Sequence, residues 1–144
     1  MHNLAISLVL VAWSLAAQAG VGITDSWARA TVAGQDVGAA YMTLNSTSDA
    51  TLVSATSPVS TSVEIHSMTM DNGIMKMRML DSLPIPAGKP VKLEPTGLHL
   101  MLLGLKKPLK AGDKIEISLT LKDKLGKQEI RKISLPVKAD VQKE

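Results

Sequence analysis

The chain has 144 residues, 16 basic against 13 acidic for a net charge of +3, no cysteine and only three aromatic residues. That length fits one domain. The missing cysteine excludes disulfides, thiolate metal ligands, thiol catalysis and lipid attachment at a lipobox cysteine, and the scarcity of aromatic stacking residues argues against a nucleic-acid partner.

Leu4 to Ala17 is an almost uncharged apolar stretch that runs into Ala17-Gln18-Ala19, a small-x-small pattern suited to signal peptidase. The run is too short for a comfortable membrane span. Residues 1–19 are therefore expected to be a signal peptide, with no stable membrane insertion once it is cleaved; an uncleaved anchor is the rival reading. An exported domain without disulfides suits a bacterial periplasm and must hold together by packing alone. The roughly 125 residues that follow are enough for one compact core.

Those residues read as β throughout. Ala39 to Leu44, Thr51 to Ser54, Ser62 to His66, Val91 to Glu94, Leu98 to Leu103, Lys114 to Lys122 and Gln128 to Leu135 are short runs with β-branched residues and partial alternation. Turn signals separate them at Gly34-Gln35-Asp36, Asn45 to Asp49, Asp71-Asn72-Gly73, Pro84 to Gly88, Pro95-Thr96-Gly97 and Ala111-Gly112-Asp113. No segment keeps a capped helical period. The spacing predicts an all-β sandwich or small barrel spanning residues 20–137, with a polar tail over 138–144. Charge is uneven: Arg29 is the one basic residue up to Met75, against five acids, and fifteen basic residues stand against eight acidic from Lys76 onward. Solvated lysines on exposed strand faces account for this, and docking on an acidic protein is the alternative.

Methionine is the informative residue. Five of the eight lie between Met68 and Met79, and the two histidines beyond the leader, His66 and His99, each stand two residues before a methionine. Residues i, i+2 and i+4 of a strand share a face. His66, Met68 and Met70 therefore point one way, as do Met75, Met77 and Met79, and His99 with Met101. Ser67, Thr69, Asp71, Lys76 and Arg78 take the other face. Asn72-Gly73 is a strong hairpin signal. A two-residue turn there pairs Met70 with Met75, Met68 with Met77 and His66 with Met79; a turn centred on Asp71-Asn72 would set His66 opposite Met77. Either register gathers one imidazole and five thioethers on one face.

Thioethers are soft, neutral donors suited to Cu(I) and poor for Ca, Mg or Mn. They need no deprotonation, and imidazole adds a stronger donor. Without a cysteine thiolate the set is no blue-copper electron-transfer centre. It suits holding an ion and handing it over. No Gly-x-Ser-x-Gly, Walker-type or His-Glu-x-x-His motif is present, so no enzyme is expected.

With ten residues between His66 and Met77, twenty-one between Met77 and His99, and Met101 two after His99, the chain resembles the periplasmic PCu(A)C copper chaperones associated with the CuA centre of cytochrome c oxidase. Their signature is His-x10-Met-x21-His-x-Met. Trp27-Ala28-Arg29-Ala30, Ala40-Tyr41-Met42, Val63-Glu64-Ile65-His66, Ile85-Pro86-Ala87-Gly88 and His99 to Leu105 add to the likeness, which runs from about Trp27 to Leu121. The resemblance implies a cupredoxin-like fold and one Cu(I) on His66, Met77, His99 and Met101, with Met68 and Met79 as auxiliary donors or rim. It also implies delivery toward the CuA centre, with Sco-like copper proteins or cytochrome c oxidase subunit II as partners; the chain itself is expected to be a monomer. Two departures stand out: Pro95-Thr96-Gly97 replaces a frequent Pro-Gly-Gly turn, and Lys138 to Glu144 lacks the His and Met of the family's common C-terminal extension. Copper buffering or resistance, and a metal-free interaction domain with a methionine core, are the rival readings.

Overall fold

The computed structural model describes residues 20–139, so the expected signal peptide and residues 140–144 of the expected tail lie outside the described residues. The described chain forms ten strands: β1 (Val21–Arg29), β2 (Val37–Ser46), β3 (Ala50–Thr56), β4 (Ser60–Asp71), β5 (Ile74–Leu80), β6 (Leu83–Ile85), β7 (Val91–Leu93), β8 (His99–Leu105), β9 (Lys114–Asp123) and β10 (Gln128–Lys138). The all-β expectation is borne out. Seven strands pair in the order β4-β8-β2-β1-β10-β9-β3, and the Ala55–Val63 pairing of β3 with β4 closes the ring into a barrel. The β1–β10 pair is parallel, through Ala28–Val137 and Arg29–Lys138, and the other ladders are antiparallel. β5, β6 and β7 attach outside this ring, on β4, β3 and β2.

Alternation builds the core. Leu44, Leu52, Ile65, Leu100, Leu102, Ile117, Leu119 and Leu135 are nearly or wholly buried inside the barrel. Full burial of such a side chain contributes about 1.5–3 kcal/mol. The odd residues of β9 and the even residues of β8 take this inner face, which commits His99 and Met101 to the outer one.

Three segments differ from the sequence expectation. β1 has no clean alternation because a bulge between Thr24 and Trp27, with Asp25 at φ 53°, inserts an extra residue. Val21 and Ile23 pack inward before it and Ala28 after it, so Trp27 and Arg29 turn to the outer face. β6 falls within the stretch expected to be a turn. Pro84 is tolerated there because β6 is an edge strand pairing β3 alone. The last strand also continues through Lys138, whose carbonyl accepts from Ala30 N.

Candidate metal centre

β4 has two different neighbours on one edge: β3 meets it at Val63, and β5 pairs it from Ile65 to Asp71. β8 runs along the other edge from Ser60 to His66. The β4–β5 hairpin thus extends past the barrel wall. Asn72 and Gly73 form its two-residue turn, with φ of 49° and 77°, the paired left-handed conformations of a type I′ turn. Met70 consequently faces Met75, Met68 faces Met77 and His66 faces Met79. The register with His66 opposite Met77 is not adopted.

On its other side His66 is paired with His99, and Glu64 with Met101. Their outer-face side chains make a continuous group: Glu64, His66 and Met68 on β4, His99 and Met101 on β8, Met77 and Met79 on β5. The two imidazole centroids are 5.7 Å apart. Met68, Met77, His99 and Met101 line one cavity of about 210 Å³, together with Arg29, Tyr41 and Pro95. His66 stands beside that cavity rather than in its lining, adjoining it through His99. Met79, opposite His66, is 59% exposed and also outside the lining.

Hydrogen bonds set the two rings. The Glu64 carboxylate accepts from His66 Nε2 at 2.7 Å, and an ionised carboxylate only accepts, so Nε2 carries the proton. In the neutral ring His66 Nδ1 is then the lone-pair nitrogen, and it is buried without a hydrogen-bond partner. The carbonyl of Gly97 plays the same part for His99, accepting from Nδ1 at 3.0 Å. In the neutral ring the lone pair of His99 then lies on Nε2. A histidine whose second nitrogen is tied to a carboxylate or carbonyl is the arrangement typical of metal-ligating imidazoles. With metal–nitrogen bonds of about 2 Å and a ring radius of roughly 1 Å, two imidazoles on one ion have centroids up to about 6 Å apart, so the pair fits a single ion.

Apart from Glu64, which is tied to His66, and Tyr41, the donors nearest the two rings are the sulfurs of Met68, Met77 and Met101. Among the described residues no three His, Cys, Asp or Glu side chains are grouped to hold a metal ion. An ion on the histidine pair finds methionine sulfur to complete its shell, a donor set that favours a soft ion.

Glu64, Tyr41 and Arg29 carry no role in the spacing pattern, yet they shape the site. Tyr41 is almost fully buried on the outer face and packs against Trp27, with centroids 4.7 Å apart, while Arg29 lies 5.4 Å from its ring centre. The β1 bulge is what brings Trp27 and Arg29 to this side. The sequence signal for all three residues was their place in phrases shared with the copper chaperones.

The fold and this site define a PCuAC-type β-barrel domain. The family model described as "Putative lipoprotein LpqE-like" matches residues 21–137, and the chain belongs to that family. It is similar to the "Putative lipoprotein Lxx21020" of Leifsonia xyli subsp. xyli (strain CTCB07), with 38% identity over 107 residues; the match covers 72% of this chain and 63% of that relative, less than two thirds of its length. The solution structure of CuI-DR1885 from Deinococcus radiodurans is 34% identical, with 90% of this chain and 87% of that one covered at a TM-score of 0.63. The copper-bound PCuAC domain from PmoF2 shares the fold at 24% identity and a TM-score of 0.66, covering 84% of this chain and 97% of that one. A lipoprotein family accords with export. These 144 residues contain no cysteine and so offer no thiol for lipid attachment.

Proposed function

We propose that this chain is an exported copper chaperone that carries one Cu(I) on His66, Met77, His99 and Met101 and catalyses no reaction. The observation that carries this reading is the buried, partnerless Nδ1 of His66 next to the His99 ring. An unpaired buried polar atom costs about 1–3 kcal/mol, and a metal bond removes that cost. The relation to CuI-DR1885 supports the identity and oxidation state of the ion.

Copper is the cargo, and the chain's own groups set how it is held. His66 Nδ1 and His99 Nε2 supply two nitrogen donors, and Met77 and Met101 supply two neutral sulfurs. Glu64 adds a negative charge one hydrogen bond behind His66, offsetting the charge that four neutral ligands leave on the ion. Met77 is 49% exposed, so one donor sits on the open hairpin while the histidines are anchored in the barrel wall. Release to an acceptor begins at that exposed sulfur. The acceptor we assign is the assembling CuA centre of cytochrome c oxidase in the periplasm, reached directly at subunit II or through a Sco-like protein.

Titration of the purified domain with Cu(I) against a chromophoric chelator tests the reading. One ion per chain, bound more tightly than about 1 µM, is expected. Binding no tighter than that overturns it. In a deletion strain, loss of oxidase assembly is expected; loss of copper tolerance alone would replace delivery by buffering.

A further inference from the structure

The ligand set proposed above uses one of the hairpin's five methionines, Met77, and the outermost pair on that face is left over. Met70 and Met75 face each other at the end of the β4–β5 hairpin, with 66% and 49% of their surfaces exposed. Opposed Cβ atoms in such a pair are roughly 5 Å apart, within the span of two thioethers on one ion. Met68 and Met77 form the next rung on the same face, about 7 Å inward along the strands, and His66 stands on the one after. Along β4 exposure falls from the tip inward, with Met70 mostly exposed, Met68 half-buried and the His66 side chain only 12% exposed, while the β5 methionines opposite stay exposed throughout.

Met70 and Met75 lose the benefit of burial at the hairpin end, and among the described residues no strand lies beyond β5 for them to pack on. Sulfur accounts for them. With no cysteine in the chain, methionine is its only sulfur donor. Resting on the copper reading above, we infer that Met70 and Met75 form a second, low-coordinate soft-metal site, a port at which Cu(I) is first taken up before it moves inward. The two-sulfur site binds the ion weakly and openly. Transfer is a ligand exchange: a bond from the ion to Met77 or Met68 sulfur forms as the bond to Met75 or Met70 breaks. The ion stays Cu(I), and neither electron nor proton moves. The His66–His99 site, with nitrogen donors and more burial, is the thermodynamic end of the ladder.

Two measurements on the folded chain test the port. In stopped-flow transfer of Cu(I) from a chelator complex, the Met70→Leu/Met75→Leu variant keeps the apolar character of the tip and removes its sulfur. Loading is expected to slow by roughly tenfold while the final affinity stays that of the parent. Equal loading rates would overturn the port and leave the inner site standing. In a His99→Ala/Met101→Leu variant, titration with Ag(I) should shift the methyl resonances of Met70 and Met75; unmoved tip methyls would overturn it as well. A parent chain that binds no Cu(I) in the chelator assay would instead remove the copper reading on which the port rests, so the two failures are told apart.

Discussion

The two faces of the β4–β8 pair use one backbone for opposite purposes. Inward, Ile65, Leu100 and Leu102 are buried at 4%, 0% and 0% exposure and belong to the barrel core. Outward, one residue along in each case, stand Glu64, His66, His99 and Met101. Paired backbone hydrogen bonds fix both sets at once, because a slip by one residue would exchange them wholesale. The rigidity that the apolar face provides is therefore the rigidity with which the imidazoles are held. The faces are coupled in geometry and separable in chemistry.

That separation is open to attack by substitution. The largest effect is expected on the inner face: Leu100→Ala should lower unfolding stability by about 3 kcal/mol in a thermal or denaturant melt, with the folded fraction still binding one Cu(I). On the outer face, His99→Ala should reduce Cu(I) affinity by about a hundredfold in chelator competition, the upper end of what loss of a supporting residue costs, with little change in the melt. Equal stability losses from the two would erase the distinction. Glu64→Ala sharpens it, because Glu64 is expected not to touch the ion: affinity should fall by about tenfold as His66 loses the partner that fixes its tautomer. The smallest effect belongs to the hairpin turn. Gly73 has φ of 77°, and Gly73→Ala should cost about 1 kcal/mol in the same melt while leaving copper stoichiometry unchanged.

Legibility in the sequence followed how local the determining physics is. The β4–β5 register was among the readings open from the sequence because Asn72-Gly73 admits two positive φ values side by side, and the structure selects that two-residue turn. That His99 and Met101 share a face followed from strand alternation, and the burial of Leu100 and Leu102 shows that this face is the outer one. β1 was not legible as a strand: Thr24-Asp25-Ser26 breaks the alternation, and the bulge that explains the break is visible only once β2 is alongside. β6 was hidden among prolines whose tolerance depends on an edge position. Glu64 acts through a hydrogen bond whose existence depends on rotamers, and Tyr41 and Arg29 reach the cavity only because β2 lies between β8 and β1. Strand order of this kind is not written in any local pattern.

The central claim is that imidazole and thioether donors from β4, β5 and β8 meet on one ion. X-ray absorption at the copper edge of the Cu(I)-loaded chain tests it most directly. The account predicts a shell of two nitrogen and two sulfur neighbours, with the sulfur count dropping in Met101→Leu and the nitrogen count in His99→Ala. A shell containing sulfur alone, or nitrogen and oxygen alone, would contradict it.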